Sequence, residues 1–542
     1  MSNKKQTFEQ GAFILICAAV ITKIIGALFK IPLASDYCLG DLGFGYFSVF
    51  YDIVSPFIML SASGLPVAVS RLVAEKGKES EEIFIQSRKV FFCLGIILFS
   101  FILLIAVIFS FIQKGYRDLF GILAILPSIL FCFTASAYRG YYEGVLNMTP
   151  PAISSLIEAV FKLFLGFGSA YITVKITSDY ILGGIAALAS ISIGTLVSLL
   201  FLHFSYLKQH RAVKPNNGNR FLRVILITAL PIAIASLSGN MVSIIDGLTV
   251  RYSLSRLFRE EYNSLSIIFK DLIAEFNGNT SNIGEYLPTV LYGIKSKAFT
   301  VYNLIPTLVA FLGVGAVPYL TESFTNNNTE EFGKNLIKIL KTSSFVCFPA
   351  SVGIVFLNSR IMTLLFGESQ SALIGGRLLM IYGITALFSS LSLVFSNILQ
   401  AIGKIKNSFI SVIFGLVLKT ALNLILCGNA KINIYGSAVS TLACFVSIFV
   451  INLFFILKQS YYKPNLSQVF LKPLVGSLIS GISAFVVSLL IEGKIGTLTA
   501  VLTAILIYFL FAYFLKIFER EEISDFPFGK MLISLMKSRK IK

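Results

Sequence analysis

Residues 26–78 read GALFKIPLASDYCLGDLGFGYFSVFYDIVSPFIMLSASGLPVAVSRLVAEKGK. The stretch holds the end of one apolar run, a short polar connection, and a second apolar run over residues 45–72 that is interrupted by Pro56, Gly64 and Pro66. A helix needs about 20 mostly apolar residues to cross the hydrocarbon core of a bilayer. The stretch therefore predicts two membrane-spanning helices, with a break inside the second.

The composition of the whole chain is typical of a membrane protein. Of its 542 residues, 56% are apolar and only 13% are charged, whereas soluble domains carry about 25% charged residues. These proportions exclude a typical cytosolic enzyme, a disulfide-held secreted domain and a disordered chain. The excess of 45 Lys+Arg over 27 Asp+Glu would favour nucleic acid in a soluble chain. Because cytoplasmic loops of membrane proteins collect Lys and Arg, we predict no nucleic-acid partner here.

Cysteine and histidine usage indicates neither a metal site nor a cofactor. The seven cysteines form no CxxC pair, so we predict that they are small buried apolar residues. The two histidines are too few for a histidine-based metal site. The chain also lacks the common nucleotide-binding, metalloprotease and hydrolase motifs. We predict a protein that is not an enzyme and that uses a gradient, the membrane potential or a partner.

Fourteen runs are long and apolar enough to span a bilayer. Lys and Arg concentrate in alternate loops, which places both termini in the cytoplasm of a multi-pass protein of the cell membrane. No small-residue cleavage site follows the first run, so we predict a retained helix there. The runs lie at 11–33, 45–72, 89–113, 118–143, 150–174, 181–207, 221–250, 297–320, 335–357, 375–401, 407–429, 433–457, 468–491 and 496–518.

The first twelve runs form two copies of six. Residues match between the copies in the same order, which predicts a parallel repeat with its axis along the membrane normal. The fold class is therefore an all-α integral membrane protein of 14 transmembrane helices, with two pseudo-symmetric six-helix lobes and two C-terminal helices. The matched pairs are Gly26 with Gly247, Lys30 with Arg251, Pro56 with Pro306, Gly64 with Gly315, Pro66 with Pro318, and Lys162 with Lys419.

The predicted domain boundaries follow from the repeat. The lobes cover residues 1–210 and 221–458, the extra helices cover 468–518, and a basic cytoplasmic tail covers 519–542. The second copy contains an extracytoplasmic insertion at 252–296, where apolar residues recur at three- and four-residue spacing. This pattern predicts amphipathic helices that either lie on lipid or form a packed cap.

Five basic side chains inside the predicted helices are candidates for binding an anionic substrate. A charge at the bilayer centre costs about 2.5–3.5 kcal/mol and usually faces the bundle interior or a wet cavity. Phosphate binds both ammonium and guanidinium groups. Two alternatives stay open, because Glu158 can pair with Lys162 on one helix face and because cations near helix ends can extend to the interface. The five are Lys23, Lys30, Lys162, Arg251 and Lys419.

Acidic residues and helix breaks complete the candidate site. Asp246, Glu158 and Asp52 are candidates for ion coupling or for lining the cavity, and Arg139 is predicted to be a helix-end anchor or part of a gate pair. Glycines and prolines at corresponding places in both copies allow helices to bend and expose carbonyl groups. The predicted break and gating positions are Gly26, Pro56, Gly64, Pro66, Gly247, Pro306, Gly315 and Pro318.

Residues 26–78 resemble the N-terminal signature of the polysaccharide-exporter branch of the MOP superfamily, especially the group of stage V sporulation protein B and the MurJ-like lipid II flippases. Two further segments are similar to that group's fifth and eleventh helices with the residues that precede them. The resemblance covers essentially the whole chain. The two segments are YRGYYEGVLNMTPPAISSLIEAVFK at 138–162 and LQAIGKIKNSFISVIFGLVLKTALN at 399–423.

The resemblance implies a V-shaped carrier that moves an undecaprenyl-pyrophosphate-linked sugar, lipid II above all, by alternating access. Lys23 and Lys30, on either side of Gly26, occupy the places of two cavity arginines in MurJ-type members. Residues 468–518 would form the groove for the polyprenyl tail. We also expect contact with membrane lipids, cell-wall synthesis enzymes as candidate partners, and a monomer.

The chain departs from Gram-negative MurJ-type members, which carry further arginines beside the second-helix proline and before the eighth-helix proline. Here Pro56 lies between Ser55 and Phe57, and no arginine stands just before Pro306. Another lipid-linked polysaccharide and a sporulation-specific role therefore stay open. A cation-coupled MATE-type drug antiporter would need a carboxylate-dominated cavity, with Asp246 and Glu158 as its best residues. A scaffold for wall-synthesis enzymes is a third hypothesis.

Overall fold

The protein is helical throughout the residues that the structure describes. The structure is a computed structural model. It describes residues 8–113, 116–209, 220–229, 240–276, 283–326, 328–459, 467–515 and 517. The predicted basic tail at 519–542 lies outside them.

Eight helices cover the first part of the chain. A π-helical turn at Leu60–Gly64 lies between the second and the third, and the chain stays helical from Gly40 to Glu75. Proline lies in the first turn of three of these helices, at Pro66, Pro127 and Pro150, which is a preferred position because a first-turn N–H has no helical partner. The helices are α1 (Phe8–Leu33), α2 (Gly40–Met59), α3 (Leu65–Glu75), α4 (Ser80–Gln113), α5 (Tyr116–Ile125), α6 (Pro127–Gly144), α7 (Thr149–Thr177) and α8 (Tyr180–Gln209).

Twelve further helices follow in the described residues. The longest of them, α15, has a non-helical kink at Leu357. They are α9 (222–229), α10 (Met241–Glu260), α11 (Tyr262–Ile268), α12 (Lys270–Phe276), α13 (Ile283–Tyr302), α14 (Leu304–Thr325), α15 (Thr329–Phe366), α16 (Gln370–Ala401), α17 (Ile405–Leu426), α18 (Tyr435–Gln459), α19 (Lys472–Leu490) and α20 (Gly493–Phe514).

Eleven segments of the described chain are long and apolar enough to cross a membrane. They coincide with eleven of the fourteen predicted runs. The other three runs, 11–33, 221–250 and 297–320, each include residues whose side chains are not described. The chain is therefore a multi-pass membrane protein built from helices.

The predicted insertion at 252–296 is more helical than its sequence suggested. The amphipathic pattern corresponds to the end of α10 and to α11 and α12, as expected. However, residues 283–296, which we predicted to be part of the loop, belong to α13, and residues 287–298 are buried. The sequence of α13 did not read as an apolar run because it contains Lys295 and Lys297. Both lysines are neutralised by ion pairs.

Contacts divide the chain into two compact units. The first comprises residues 1–297 and Asn423–Ile434, and the second comprises Ala298–Leu422 and residues 435–542. In the first unit α7 packs against α8 and α1, and α10 packs against α2. In the second unit α15 packs against α16 and α19, and Leu357, Ala484 and Ala500 form a small core between α15, α19 and α20.

Two glycines bring α2 and α13 into direct backbone contact in the first unit. A Cβ atom added at Gly293 would overlap the Asp41 carbonyl oxygen, and one added at Gly45 would overlap the Thr289 carbonyl oxygen. Neither obstacle is a flexible side chain, so the contact requires residues without a side chain.

We expect Gly293→Ala to lower the free energy of unfolding by about 1–3 kcal/mol, because overpacking must move a backbone. The matched control is Gly168→Ala on α7, where an added Cβ meets nothing within 4 Å and a helix gains up to about 1 kcal/mol from alanine. Equilibrium unfolding in mixed micelles measures both. Equal stability of the two variants would contradict the close contact.

Candidate functional site

Lys23 and Lys30 lie on α1, two helical turns apart, and therefore on one face of the helix. Lys23 is exposed and Lys30 is half-buried. The Nζ atom of Lys30 lies 4.3 Å from the centre of the Tyr51 ring on α2, which is a favourable cation–π distance. Within the described residues neither ammonium group forms an ion pair, so both positive charges are available to an anion.

Arg251, unlike Lys23 and Lys30, is not available to an anion, because it forms an ion pair with Asp118 on α5. Its two terminal nitrogens lie 3.0 and 3.2 Å from the oxygens of Asp118, and both side chains are partly buried. Such a bidentate pair fixes the guanidinium strongly. The pair borders an apolar cavity between α2, α4, α5 and α10.

Lys162 belongs to a three-charge cluster inside the first unit. Its Nζ lies 2.5 Å from Glu158, as the four-residue spacing allowed, and the other oxygen of Glu158 lies 2.9 Å from Arg139. Arg139 also donates to Ser198 at 3.2 Å. The sequence reading of Arg139 as a helix-end residue was incomplete, because it is 3% exposed and holds α6 to α7 and α8.

Lys419 occupies a closed position in the second unit. The residue is fully buried, and its Nζ lies 2.6 Å from the Thr441 hydroxyl on α18. A ligand has no access to a side chain with no exposed surface. In this conformation Lys419 therefore joins α17 to α18, unlike the accessible lysines of α1.

Asp246 is completely buried and binds a lysine that the sequence did not single out. Lys295 of α13 lies 2.9 Å from it, with exposed fractions of 1% and 0% for the two side chains. Asn423 donates to Asp246 at 3.0 Å and to the Thr249 hydroxyl at 2.9 Å. A charge this deep is tolerated only because it is paired and hydrogen-bonded.

Asp52, on α2, is hydrogen-bonded to the same helix α13 that provides Lys295. The Tyr292 hydroxyl of α13 donates to Asp52 at 2.8 Å. The Lys295 ammonium lies 4.9 Å from the centre of the Tyr292 ring. Two residues after Lys295, the buried Lys297 binds Asp41 at 2.7 Å. The candidate carboxylates Asp52, Asp246 and Glu158 are thus all held by resident donors.

The predicted break positions differ in their surroundings. Pro56 lies inside α2 and Pro66 in the first turn of α3. An added Cβ at Gly247 would lie 2.9 Å from the Ile53 side chain, whereas one at Gly26 would meet nothing within 4 Å. Pro306, Gly315 and Pro318 all lie in α14; the side chain of Pro318 is not described.

Five of the seven cysteines are buried, as predicted. Cys17 is half-buried and Cys93 is exposed on α4. Among the described residues no three His, Cys, Asp or Glu side chains are grouped so that they could hold a metal ion.

Comparison with known proteins gives two family matches. Residues 8–255 match the polysaccharide biosynthesis protein family, and residues 306–510 match the lipid II flippase MurJ family. The chain is 26% identical to the uncharacterized membrane protein YabM of Bacillus subtilis, over 99% of this chain and 98% of that protein. It is 25% identical to the lipid II flippase MurJ of B. subtilis over 76% of each chain. It is 24% identical to stage V sporulation protein B of the same organism, over 80% and 81%.

Two solved structures share the fold. One is a lipid II flippase MurJ in an inward closed conformation, with a TM-score of 0.67 and 18% identity over 93% of this chain and 99% of that chain. The other is an inward-facing multidrug resistance MATE family transporter of the MOP superfamily, with a TM-score of 0.61 and 15% identity over 82% and 98%. Together with the sequence matches, this makes the chain similar, in sequence and in fold, to lipid II flippase MurJ and, in sequence, to stage V sporulation protein B.

Proposed function

We propose that this protein is a flippase that carries an undecaprenyl-pyrophosphate-linked sugar precursor across the cell membrane, and that lipid II is its substrate. The observation that carries the proposal is the pair of accessible ammonium groups on α1. Lys23 and Lys30 form no ion pair within the described chain, whereas Asp246, Glu158 and Asp41 are each bound to a resident cation. A membrane protein that keeps two such charges without a carboxylate is suited to an anionic ligand.

The chemistry of the headgroup fits this arrangement. A pyrophosphate carries several negative charges, and ammonium groups bind phosphate oxygens through charge-assisted hydrogen bonds. The Tyr51 ring holds the Lys30 ammonium near α2 without neutralising it. We propose that Lys23 and Lys30 bind the pyrophosphate while the sugar lies in a wet cleft.

The membrane arrangement that we propose follows the predicted repeat. Two six-helix lobes, 1–210 and 221–458, alternate their access to the two sides, with both termini in the cytoplasm. The final helix pair lies against α15 and exposes a row of large apolar side chains on α20, which suits a polyprenyl chain. We propose a monomer, with wall-synthesis enzymes as candidate partners.

A drug antiporter of the same fold is the second candidate. It is favoured only by the likeness to MATE transporters. A cavity for organic cations needs available carboxylates, yet Asp52 accepts from Tyr292 and Asp246 binds Lys295. Glu158 is shared between two cations. The charges therefore favour an anionic substrate.

The test is reconstitution of the wild-type protein into liposomes with three candidate substrates. We expect labelled lipid II to move across the bilayer at a rate well above that of protein-free liposomes. If only another undecaprenyl-pyrophosphate-linked sugar moved, the proposed flippase activity would stand and the proposed substrate, lipid II, would be wrong. Transport of an organic cation without movement of either lipid would overturn the proposal.

A further inference from the structure

Three of the described polar contacts join α10 and α13, in the second predicted repeat, to α2 and α5, in the first, and all lie within the first unit. Lys297 binds Asp41 at 2.7 Å, Arg251 binds Asp118 at 3.0 Å, and Tyr292 donates to Asp52 at 2.8 Å. In each contact the carboxylate belongs to a first-repeat helix, α2 or α5. The donor always belongs to α10 or α13, so the charge is distributed asymmetrically across this boundary.

The boundary is tightly closed in this conformation. The side chains of Lys297 and Asp41 are each 3% exposed. Gly45 and Gly293 bring the α2 and α13 backbones together beside them. Because a buried cation is stable only with its partner in place, Lys297 cannot reach a ligand until α13 and α2 separate.

We propose that these contacts form a closure between α10 and α13 on one side and α2 and α5 on the other, and that Lys297 and Arg251, once released from Asp41 and Asp118, bind the pyrophosphate group as it leaves. This proposal rests on the proposed function for the identity of the headgroup. Separation would leave cations on the α10 and α13 side and carboxylates on the α2 and α5 side.

Because the cations lie on the α10 and α13 side and the carboxylates on the α2 and α5 side, a bound anion opens the closure and its release closes it. A phosphate group and a carboxylate compete for the same ammonium or guanidinium group. While the headgroup is bound, it replaces the carboxylates and keeps the helices apart. When it leaves, Asp41 and Asp118 regain their partners, and attraction between the two sides closes the boundary again.

Native cysteines report the state of this closure. Cys38, three residues before Asp41, and Cys427, in the segment after α17, are both fully buried. Burial also raises the pKa of the Cys38 thiol to about 11, so little of it is the reactive thiolate at pH 8. Cys347 on α15 is buried in the second unit and serves as an internal control for unfolding.

The first measurement is the rate at which a maleimide labels each cysteine in the purified full-length protein, located by peptide mass spectrometry. We expect Asp41→Asn and Lys297→Gln to accelerate labelling of Cys38 by about tenfold, as expected for removing one partner of a buried pair. Labelling of Cys347 should not change. The matched control is Glu330→Gln, which breaks an exposed pair with Lys334.

The second measurement separates opening from anion binding. Inorganic pyrophosphate is titrated calorimetrically in a Lys23→Gln/Lys30→Gln background, which removes the cations of α1. We expect Asp41→Asn to bind pyrophosphate about tenfold more tightly than this background, because the cation loses its competing carboxylate. Adding Lys297→Gln to Asp41→Asn should abolish that gain while Cys38 labelling stays fast.

Each outcome decides the proposal. Unchanged Cys38 labelling in both single variants would overturn the closure. Equal pyrophosphate affinity with and without Lys297 would overturn the anion site. If Asp41→Asn does not fold, Asp118→Asn provides the same test at the partly exposed Arg251. The readouts do not involve lipid II, so failure of lipid II transport would refute the proposed substrate without affecting these results.

Discussion

Replacing Lys295 by methionine is expected to lower the free energy of unfolding by about 3–5 kcal/mol, the usual cost of removing one partner from a buried ion pair. The lysine contributes the cation that neutralises Asp246, and neither side chain has appreciable exposed surface. Asn423 would still donate to one Asp246 oxygen. A neutral amide donor does not compensate a buried carboxylate charge.

The matched double variant shows whether the loss comes from the unpaired charge. Asp246→Leu together with Lys295→Met removes both charges, and apolar replacement of a whole buried pair is often nearly neutral. We therefore expect the double variant to be more stable than Lys295→Met alone in equilibrium unfolding in mixed micelles. A double variant less stable than the single one would show that Asp246 was not destabilised by losing Lys295.

Glu158→Gln is expected to cost about 3–5 kcal/mol of unfolding free energy for a different reason. One oxygen of Glu158 binds Lys162 and the other binds Arg139. The glutamine side chain keeps the shape but leaves the buried Arg139 and the partly buried Lys162 facing each other. Repulsion then adds to the loss of both charge-assisted hydrogen bonds.

The control for Glu158→Gln is the same substitution at Glu75. This residue also binds a cation one turn away on its own helix, Arg71 at 2.9 Å, but both side chains are largely exposed. An exposed pair of this kind contributes about 0.3–0.5 kcal/mol. Equal small losses at Glu75 and Glu158, measured under the same conditions, would contradict the burial of the Glu158 cluster.

The helices were the most predictable part of this protein. A run of about 20 apolar residues has few alternatives in a bilayer, because every backbone polar group must be satisfied internally. Local spacing also indicated the Lys162–Glu158 pair as one of two alternatives, since residues four apart meet on one helix face. The tertiary partner Arg139, nineteen positions before Glu158, has no such signal in a single sequence.

Helix α13 was the least predictable element. Lys295 and Lys297 interrupt its apolar pattern, so residues 283–296 looked like part of a surface loop. Their partners Asp246 and Asp41 lie far away in the sequence, and only the folded chain brings these charges together. A lysine pair next to Gly293, in a stretch otherwise rich in apolar residues, was the one local signal that could have indicated a packed helix.

The binding role of the five basic residues stays a prediction. Lys23 and Lys30 form no ion pair within the described residues, whereas Arg251, Lys162 and Lys419 are each held by a resident oxygen. Sequence shows where a charge is placed along a helix. Whether it is neutralised depends on neighbouring helices.

The central claim is that the two accessible cations of α1 bind an anionic headgroup. The most direct test compares initial rates of lipid II translocation in liposomes for wild type, Lys30→Gln, Lys30→Arg and the exposed control Lys334→Gln. Loss of a charged contact to phosphate predicts at least about a tenfold lower rate for Lys30→Gln, with near-normal rates for Lys30→Arg and Lys334→Gln. Translocation that is as fast in Lys30→Gln as in wild type, and that also survives Lys23→Gln, would contradict the claim.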